Sequence, residues 1–468
     1  MKERCRQVSF RKFIFFFKAA DVFFLFRVYS TGSELYKNGW KDFQEMNLIV
    51  GPNHLSGEIA VPGSKSHTIR AVAMGMMADG VSRIHAPLLS EDSMAAVRAA
   101  TLFGASIDRG DDSCWSVTGT GGKLLNPEKT VDMANSGTSI KIFAGLASLL
   151  SFPVSFDGDA SLRSRPMGHL LSALKYLNVK TSSQNGKCPF TVEGPMTGGE
   201  TVVNGESSQY VTALLLSAPF AKQDTRIRVE NLNEQPYIEI TLGWLDRLGL
   251  RYTAEKDLSR FEIPGGQSIH AFDVTIPADF STATFPLVAA AVTGSELTIR
   301  NLDFNDVQGD KAVFALLERM GVEVIRGGNA TRIRPHGPLH AADLDLNATP
   351  DALPAIAVAA AFAEGTSRIH NVAQARIKET DRIACMTREL RRMGATVEEF
   401  PDGMSITGGT LHGAAVNSYK DHRIAMALAV AGLAATGETL IRDAECVSVT
   451  YPKFIEDFNA LGARFRVF

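Results

Sequence analysis

Six times along the chain a helix-like stretch ends in an apolar residue, then glycine or a substitute, then an alternating strand-like segment. The glycine-like positions are Gly104, Asn178, Gly249, Gly321, Gly394 and Gly462, separated by 74, 71, 72, 73 and 68 residues. Glycine supplies the left-handed backbone that closes a helix, and asparagine is the usual second choice. The period is too long for a solenoid repeat and suits a supersecondary module. Each unit holds a second helix rich in small residues, predicted near 71–78, 140–150, 212–221, 284–292, 355–363 and 425–435. Helices apolar on all sides belong inside a domain. The unit therefore reads strand, buried helix, strand, outer helix, strand. Three units would close into one α/β domain with helices inside and sheets outside, and two such domains would face each other across a cleft.

The 468 residues are 45% hydrophobic and 21% charged, with a formal net charge of −3. This excludes a mainly disordered chain and argues against a bulk nucleic-acid binder, which carries a strongly basic domain. Any anionic ligand must be met by a local cluster of Lys and Arg. The five cysteines (Cys5, Cys114, Cys188, Cys385, Cys446) form no CxxC pair and no metal-ligand spacing, so a reducing compartment and no structural zinc are expected. Residues 1–45 differ from the rest, with nine Phe, nine Lys or Arg and five acids, a net +4 that leaves −7 for the remainder. Lys18 and Asp21 interrupt their apolar run, which is too short and too charged to span a bilayer. A leader or upstream extension ahead of Met46, outside the fold, is expected, and a cytoplasmic, membrane-free protein with it.

Chemistry-bearing residues precede the buried helices: Gly63-Ser64-Lys65-Ser66, Asn135-Ser136-Gly137-Thr138, Ser207-Ser208-Gln209, Asp279-Phe280-Ser281-Thr282, Pro350-Asp351 and Asp421-His422-Arg423. A helix N-terminus offers unpaired N–H groups to an anion. Ser, Thr, Asp and Asn are also ordinary caps, which suffices for Ser281 and Thr282. Capping does not account for Lys65 or Arg423, because a cation there opposes the helix dipole unless an anion intervenes. Before the outer helices stand Arg165-Pro166-Met167-Gly168 and Arg376-Ile377-Lys378-Glu379-Thr380-Asp381-Arg382. Their matching places in the repeat point both at the cleft, although a charge run is commonly a solvated face. Arg70, one turn beyond Ser66, joins the cations. Several cations around two carboxylates, Asp351 and Glu379, suit a substrate with several negative charges.

From Met46 to Phe468 these segments, together with Pro236-Tyr237-Ile238, resemble the enolpyruvylshikimate phosphate synthase family of enolpyruvyl transferases, in the family's order. The resemblance implies two inside-out α/β domains and transfer of the enolpyruvyl group of phosphoenolpyruvate to the 5-hydroxyl of shikimate 3-phosphate. It implies that Lys65, Ser66, Arg70, Ser207, Ser208, Tyr237, Asp351, Gln374 and Lys378 hold shikimate 3-phosphate. Lys65, Gly137, Arg165, Gln209, Arg382 and Arg423 would hold phosphoenolpyruvate. Asp351 would be the base and Glu379 the acid, with His422 nearby and Lys65 at both substrates. No metal or organic cofactor is implied, a monomer is expected, and glyphosate should compete for the phosphoenolpyruvate pocket. The family pattern also places residues 64–278 in one domain and 46–63 with 279–468 in the other.

Four positions depart from that pattern: Lys141, Gln374, Glu234 and Val449 stand where Arg, Asn, Ser and a cation are familiar. The loss of a cation at Val449 is expected to weaken phosphoenolpyruvate binding without abolishing the reaction. The nearest rival is the sister enzyme acting on a UDP-amino sugar, which lacks the Lys-Glu-Thr-Asp-Arg and Ser-Ser-Gln segments. A non-catalytic anion-binding module is the rival from another class, and the intact Asp351 and Glu379 speak against it.

Overall fold

The computed structural model describes residues 46–468, and among them the repeat becomes six four-stranded sheets. The expectation for residues 1–45 lies outside the described residues. Every sheet has one internal order. In the fifth unit Asp343–Asp345 runs parallel to Thr366–His370, and Gly403–Thr407 and then Thr396–Phe400 follow antiparallel. The unit thus carries one strand more than the sequence pattern suggests. The final strand is a hairpin, because the Pro401-Asp402 turn folds one β-rich run back on itself.

All six repeat positions adopt left-handed backbone: φ is 104° at Gly104, 66° at Asn178, 67° at Gly249, 103° at Gly321, 94° at Gly394 and 101° at Gly462. Each stops its outer helix, and the first five turn the chain into the hairpin, while Gly462 turns it into Arg466–Val467, which pairs with Leu48–Val50. The inner helices are Lys65–Met77, Gly137–Ala147, Ser208–Ser217, Phe280–Thr293, Leu353–Ala361 and His422–Ala434. All eleven residues of Gly137–Ala147 and all nine of Leu353–Ala361 are buried. Small side chains permit this crowding. A Cβ on Gly145 would lie 2.6 Å from the Ala213 carbonyl oxygen of the neighbouring inner helix. The strands face solvent on one side only, as the strict alternation of Thr225–Glu230 shows.

Three sheets take a strand from a distant part of the chain. Asp273–Thr275 lies parallel to Val81–His85, and Gly57–Ala60 lies parallel to Leu297–Arg300. Leu48–Val50 sits between Thr439–Arg442 and Arg466–Val467, antiparallel to both. The buried apolar residues accordingly fall into two cores, one drawn from Ile69 to Ile276 and the other from Leu48–Val61 together with Ala278–Phe465. Two inside-out α/β domains result. The chain passes between the cores in two adjacent segments. There the Ser64 N–H donates to the Pro277 carbonyl at 2.8 Å and the Asp279 N–H to that of Pro62 at 2.9 Å. Among the described residues no helix is long and apolar enough to cross a membrane.

Candidate active site

Three neighbouring cavities lie where the inner helices begin, and residues from the start of each line them: Lys65 and Ser66, Thr138, Ser208 and Gln209, Ser281, Asp351, and Arg423. The capping chemistry is local. Ser136, Ser207, Asp279 and Asp421 accept bonds from the first-turn N–H groups of Ser139, Gln209, Thr282 and Arg423. Ser281 does more than begin a helix, since its hydroxyl accepts from Arg423 Nη1 at 2.6 Å.

Arg382 organises the centre. Its guanidinium, 1% exposed, reaches Asp351 Oδ1 at 2.8 Å, Glu379 Oε2 at 2.7 Å and Asp421 Oδ2 at 2.8 Å. Arg423 Nη2 holds the other Asp351 oxygen at 3.0 Å, and Lys378 Nζ lies 4.0 Å from Oδ1. Burial alone would raise the Asp351 pKa, but Arg423, Lys378, Arg382 and Lys65 outweigh it and hold the carboxyl well below the usual range. Glu379 is likewise held low against its burial, by Arg382 and Arg165, whose Nη1 lies 3.6 Å from Oε1. His422 is driven down to about 3 by burial, so it is neutral at physiological pH, and its Nε2 has no partner among the described residues.

Lys65 Nζ pairs with Asp92 at 3.2 Å. Lys378 pairs with Glu234 from the other core. Two buried cations have no carboxylate partner among the described residues. Arg70, 2% exposed, is surrounded by neutral acceptors: the Ser66 carbonyl at 2.9 Å, the Tyr237 carbonyl at 3.1 Å and the Thr241 hydroxyl at 2.8 Å. Lys141, 5% exposed, donates to the Gly137 carbonyl at 3.1 Å and to Gln209 Oε1 at 2.7 Å. Burial, then the charges of Arg165 and Lys378, pull Lys141 down to about 7. Gly137 leaves room for the Arg165 guanidinium, since a Cβ there would stand 2.6 Å from Arg165 Nη1 and the guanidinium would have to shift.

The structure brings the candidate substrate and catalytic residues together here, Gly137 beside Arg165, Arg382 on the carboxylates and His422 near Glu379, but leaves Arg376 out. Arg165, Ser207, Gln209, Gln374, Lys378 and Glu379 line one cavity, and Lys65, Ser66, Arg70, Ser208, Tyr237, Asp351 and Arg423 line the two beside it. Gln374 is buried and donates to the Asn347 carbonyl at 3.1 Å. Within the charge run near residue 380 the two readings divide. Arg376 turns outward to Asp381 and Glu399, as a solvated face would, while Lys378, Glu379 and Arg382 turn inward. Val449 is buried at the end of the turn Ala444–Val449 and contributes no charge. Sequence reasoning missed Asp92, the partner of Lys65, and Asp310. The Asp310 carboxylate accepts from the Tyr237 hydroxyl at 2.9 Å, and burial together with Asp351 raises its pKa to about 7. Neither stands at the start of an inner helix, so nothing in the repeat marks them.

The Lys141 position gives a pH-dependent expectation. Free Lys141 is half charged near pH 7, and an anion bound against it favours the charged form, so Lys141 adds proton uptake to binding at pH 8 and almost none at pH 6. Calorimetric titration of phosphoenolpyruvate in buffers of different ionisation enthalpy checks this. Lys141→Arg, whose guanidinium stays charged, should lower the uptake at pH 8 and leave it nearly unchanged at pH 6; equal uptake by wild type and variant at pH 8 would contradict it.

Comparison with known proteins places this arrangement. A family model described as EPSP synthase (3-phosphoshikimate 1-carboxyvinyltransferase) matches residues 49–458. A 3-phosphoshikimate 1-carboxyvinyltransferase of Ruminiclostridium cellulolyticum is 45% identical over 421 residues, covering 90% of this chain and 99% of the relative. One from Acetivibrio thermocellus is 44% identical, covering 89% of this chain and 99% of its own length. Among solved structures, an EPSP synthase from Acinetobacter baumannii superposes with a TM-score of 0.77 at 27% identity, over 91% of this chain and all of that one.

Proposed function

The chain belongs to the EPSP synthase family, whose members transfer the enolpyruvyl group of phosphoenolpyruvate to shikimate 3-phosphate, and on that premise we propose how its residues divide the work. The carrying observation is that Asp351 and Glu379 hang from adjacent nitrogens of Arg382, near two buried cations that lack a counter-ion. Arg70 faces the shikimate side with Ser66, Ser208 and Tyr237. Lys141 and Arg165 face the phosphoenolpyruvate side with Gly137 and Gln209, and Arg382 and Arg423 complete that side.

The chemistry follows from competition for the cations. With Arg165, Arg382 and Arg423 engaged by the carboxylates, Asp351 and Glu379 are poor proton carriers. The phosphate and carboxylate of phosphoenolpyruvate draw those cations away, so both pKa values rise when substrate is present. Glu379 then delivers its proton to the methylene carbon, and the electron pair of the double bond forms the new C–H bond. The 5-hydroxyl oxygen attacks the cationic carbon while Asp351 takes the hydroxyl proton, giving a tetrahedral intermediate. The methyl group returns a proton to Glu379, its C–H electron pair restores the double bond, and phosphate leaves with the electron pair of its C–O bond and the proton held by Asp351. Lys65 spans both substrates, and neutral His422 supports Glu379 without carrying charge itself.

We also propose that residues 64–278 and residues 46–63 with 279–468 act as two domains closing about the paired crossover segments. The enzyme works as a cytoplasmic monomer, and glyphosate competes for the phosphoenolpyruvate side. Phosphate release by the purified chain tests the reading, with phosphoenolpyruvate and either shikimate 3-phosphate or UDP-N-acetylglucosamine as acceptor. Release only with shikimate 3-phosphate is expected; release only with the sugar nucleotide would overturn the acceptor while keeping the protonation scheme.

A further inference from the structure

Glu234 is an anomaly in a site built to receive anions. It is 1% exposed, and its backbone lies in the left-handed region at φ 56°, which a non-glycine side chain adopts at a cost. Its carboxylate reaches across to the start of the Ser208–Ser217 helix. There Oε2 accepts from the Ser208 N–H at 3.2 Å and the Ser208 hydroxyl at 2.7 Å, and Oε1 pairs with Lys378 from the opposite core. A helix-terminal N–H, a hydroxyl and a lysine make a seat suited to phosphate. Another cation of this side, Arg70, is forked and suits a carboxylate.

We propose that Glu234 is a resident anion occupying the seat of the acceptor's phosphate, so that shikimate 3-phosphate binds only by displacing a carboxylate of this chain, and Glu234 thereby sets the affinity and selectivity of the acceptor side. The inference rests on the assignment of Ser208 and Lys378 to shikimate 3-phosphate. Two consequences follow. The Glu234–Lys378 pair ties the two cores together when the acceptor is absent. Phosphate arriving while the carboxylate stays would place like charges in contact, so acceptor binding is weaker than the same seat would give without Glu234.

Direct titration of the full chain with shikimate 3-phosphate, with phosphoenolpyruvate and with inorganic phosphate tests this. Glu234→Gln keeps the shape and removes the charge, and Glu234→Ser clears the seat. Both should tighten shikimate 3-phosphate binding by about tenfold or more. Both should leave phosphoenolpyruvate affinity unchanged and make inorganic phosphate a competitor of shikimate 3-phosphate. A wild-type chain that binds and turns over shikimate 3-phosphate, with variants that bind it no more tightly, would show that Glu234 is only a structural tie and overturn the proposal. Inorganic phosphate already competing with shikimate 3-phosphate in the wild type would overturn it too, whatever the variants do. A wild-type chain that does not bind shikimate 3-phosphate would instead overturn the acceptor assignment, and this proposal with it.

Discussion

Arg382→Met is expected to abolish phosphate release and to destabilise the chain by about 3–5 kcal/mol near neutral pH, the usual cost of leaving buried charges without their partner. The reason is the geometry of one guanidinium. Asp421 is fully buried, Asp351 and Glu379 are partly buried at 16% and 13% exposed, and all three lean on Arg382. Methionine fills a similar length and packs among apolar neighbours, so a lost cavity contact does not dominate the effect. The pH dependence separates charge from packing. Asp351 and Glu379 have folded-state pKa values lowered below their ordinary ones, so their pairing stabilises the fold fully above the ordinary carboxylate range and is lost only as pH falls on through the lowered folded-state values. Urea unfolding of wild type and variant should differ most near pH 7.5, and the gap should close only well below about pH 4, where the paired carboxylates themselves protonate. A gap independent of pH would mean that Arg382 serves packing alone.

Asp351→Asn is expected to lower kcat by about 100- to 10,000-fold, the range for removing a positioned base. Phosphoenolpyruvate should bind at least as tightly as before. Asparagine keeps the shape of the side chain but removes the charge that Arg423 and Arg382 now neutralise, leaving both free for the substrate. Single-turnover phosphate release and equilibrium titration separate the two quantities. Weakened phosphoenolpyruvate binding with kcat preserved would assign Asp351 to substrate positioning.

Both results bear on how much of the molecule is written locally. The six-fold period, the inner helices and their caps were legible because their causes lie within a few residues: a left-handed closing position, an apolar run, a capping side chain. Lys65 and Arg423 stood out for the same reason, as cations set against a helix dipole. Gly137 was legible as a motif, but the room it leaves for the Arg165 guanidinium, 2.6 Å from where a Cβ would stand, was not.

Contacts between residues far apart in the chain had no local trace. Glu234 read only as a departure from a familiar serine, yet it meets Lys378, 144 positions away, and Asp310 meets Tyr237 across 73. The exchange of strands decides such pairings. Leu48–Val50 enters the last sheet and Asp273–Thr275 the first, and this interleaving brings the starts of all six inner helices to common ground. The sequence alone determined the repeat, its helices and most of the charged residues, because propensity and capping act within a turn or two. Only the tertiary structure decided which carboxylate neutralises which cation and which cations remain unpaired. Electrostatic energy in a buried cleft depends on distance and desolvation, and neither exists until the two cores face each other.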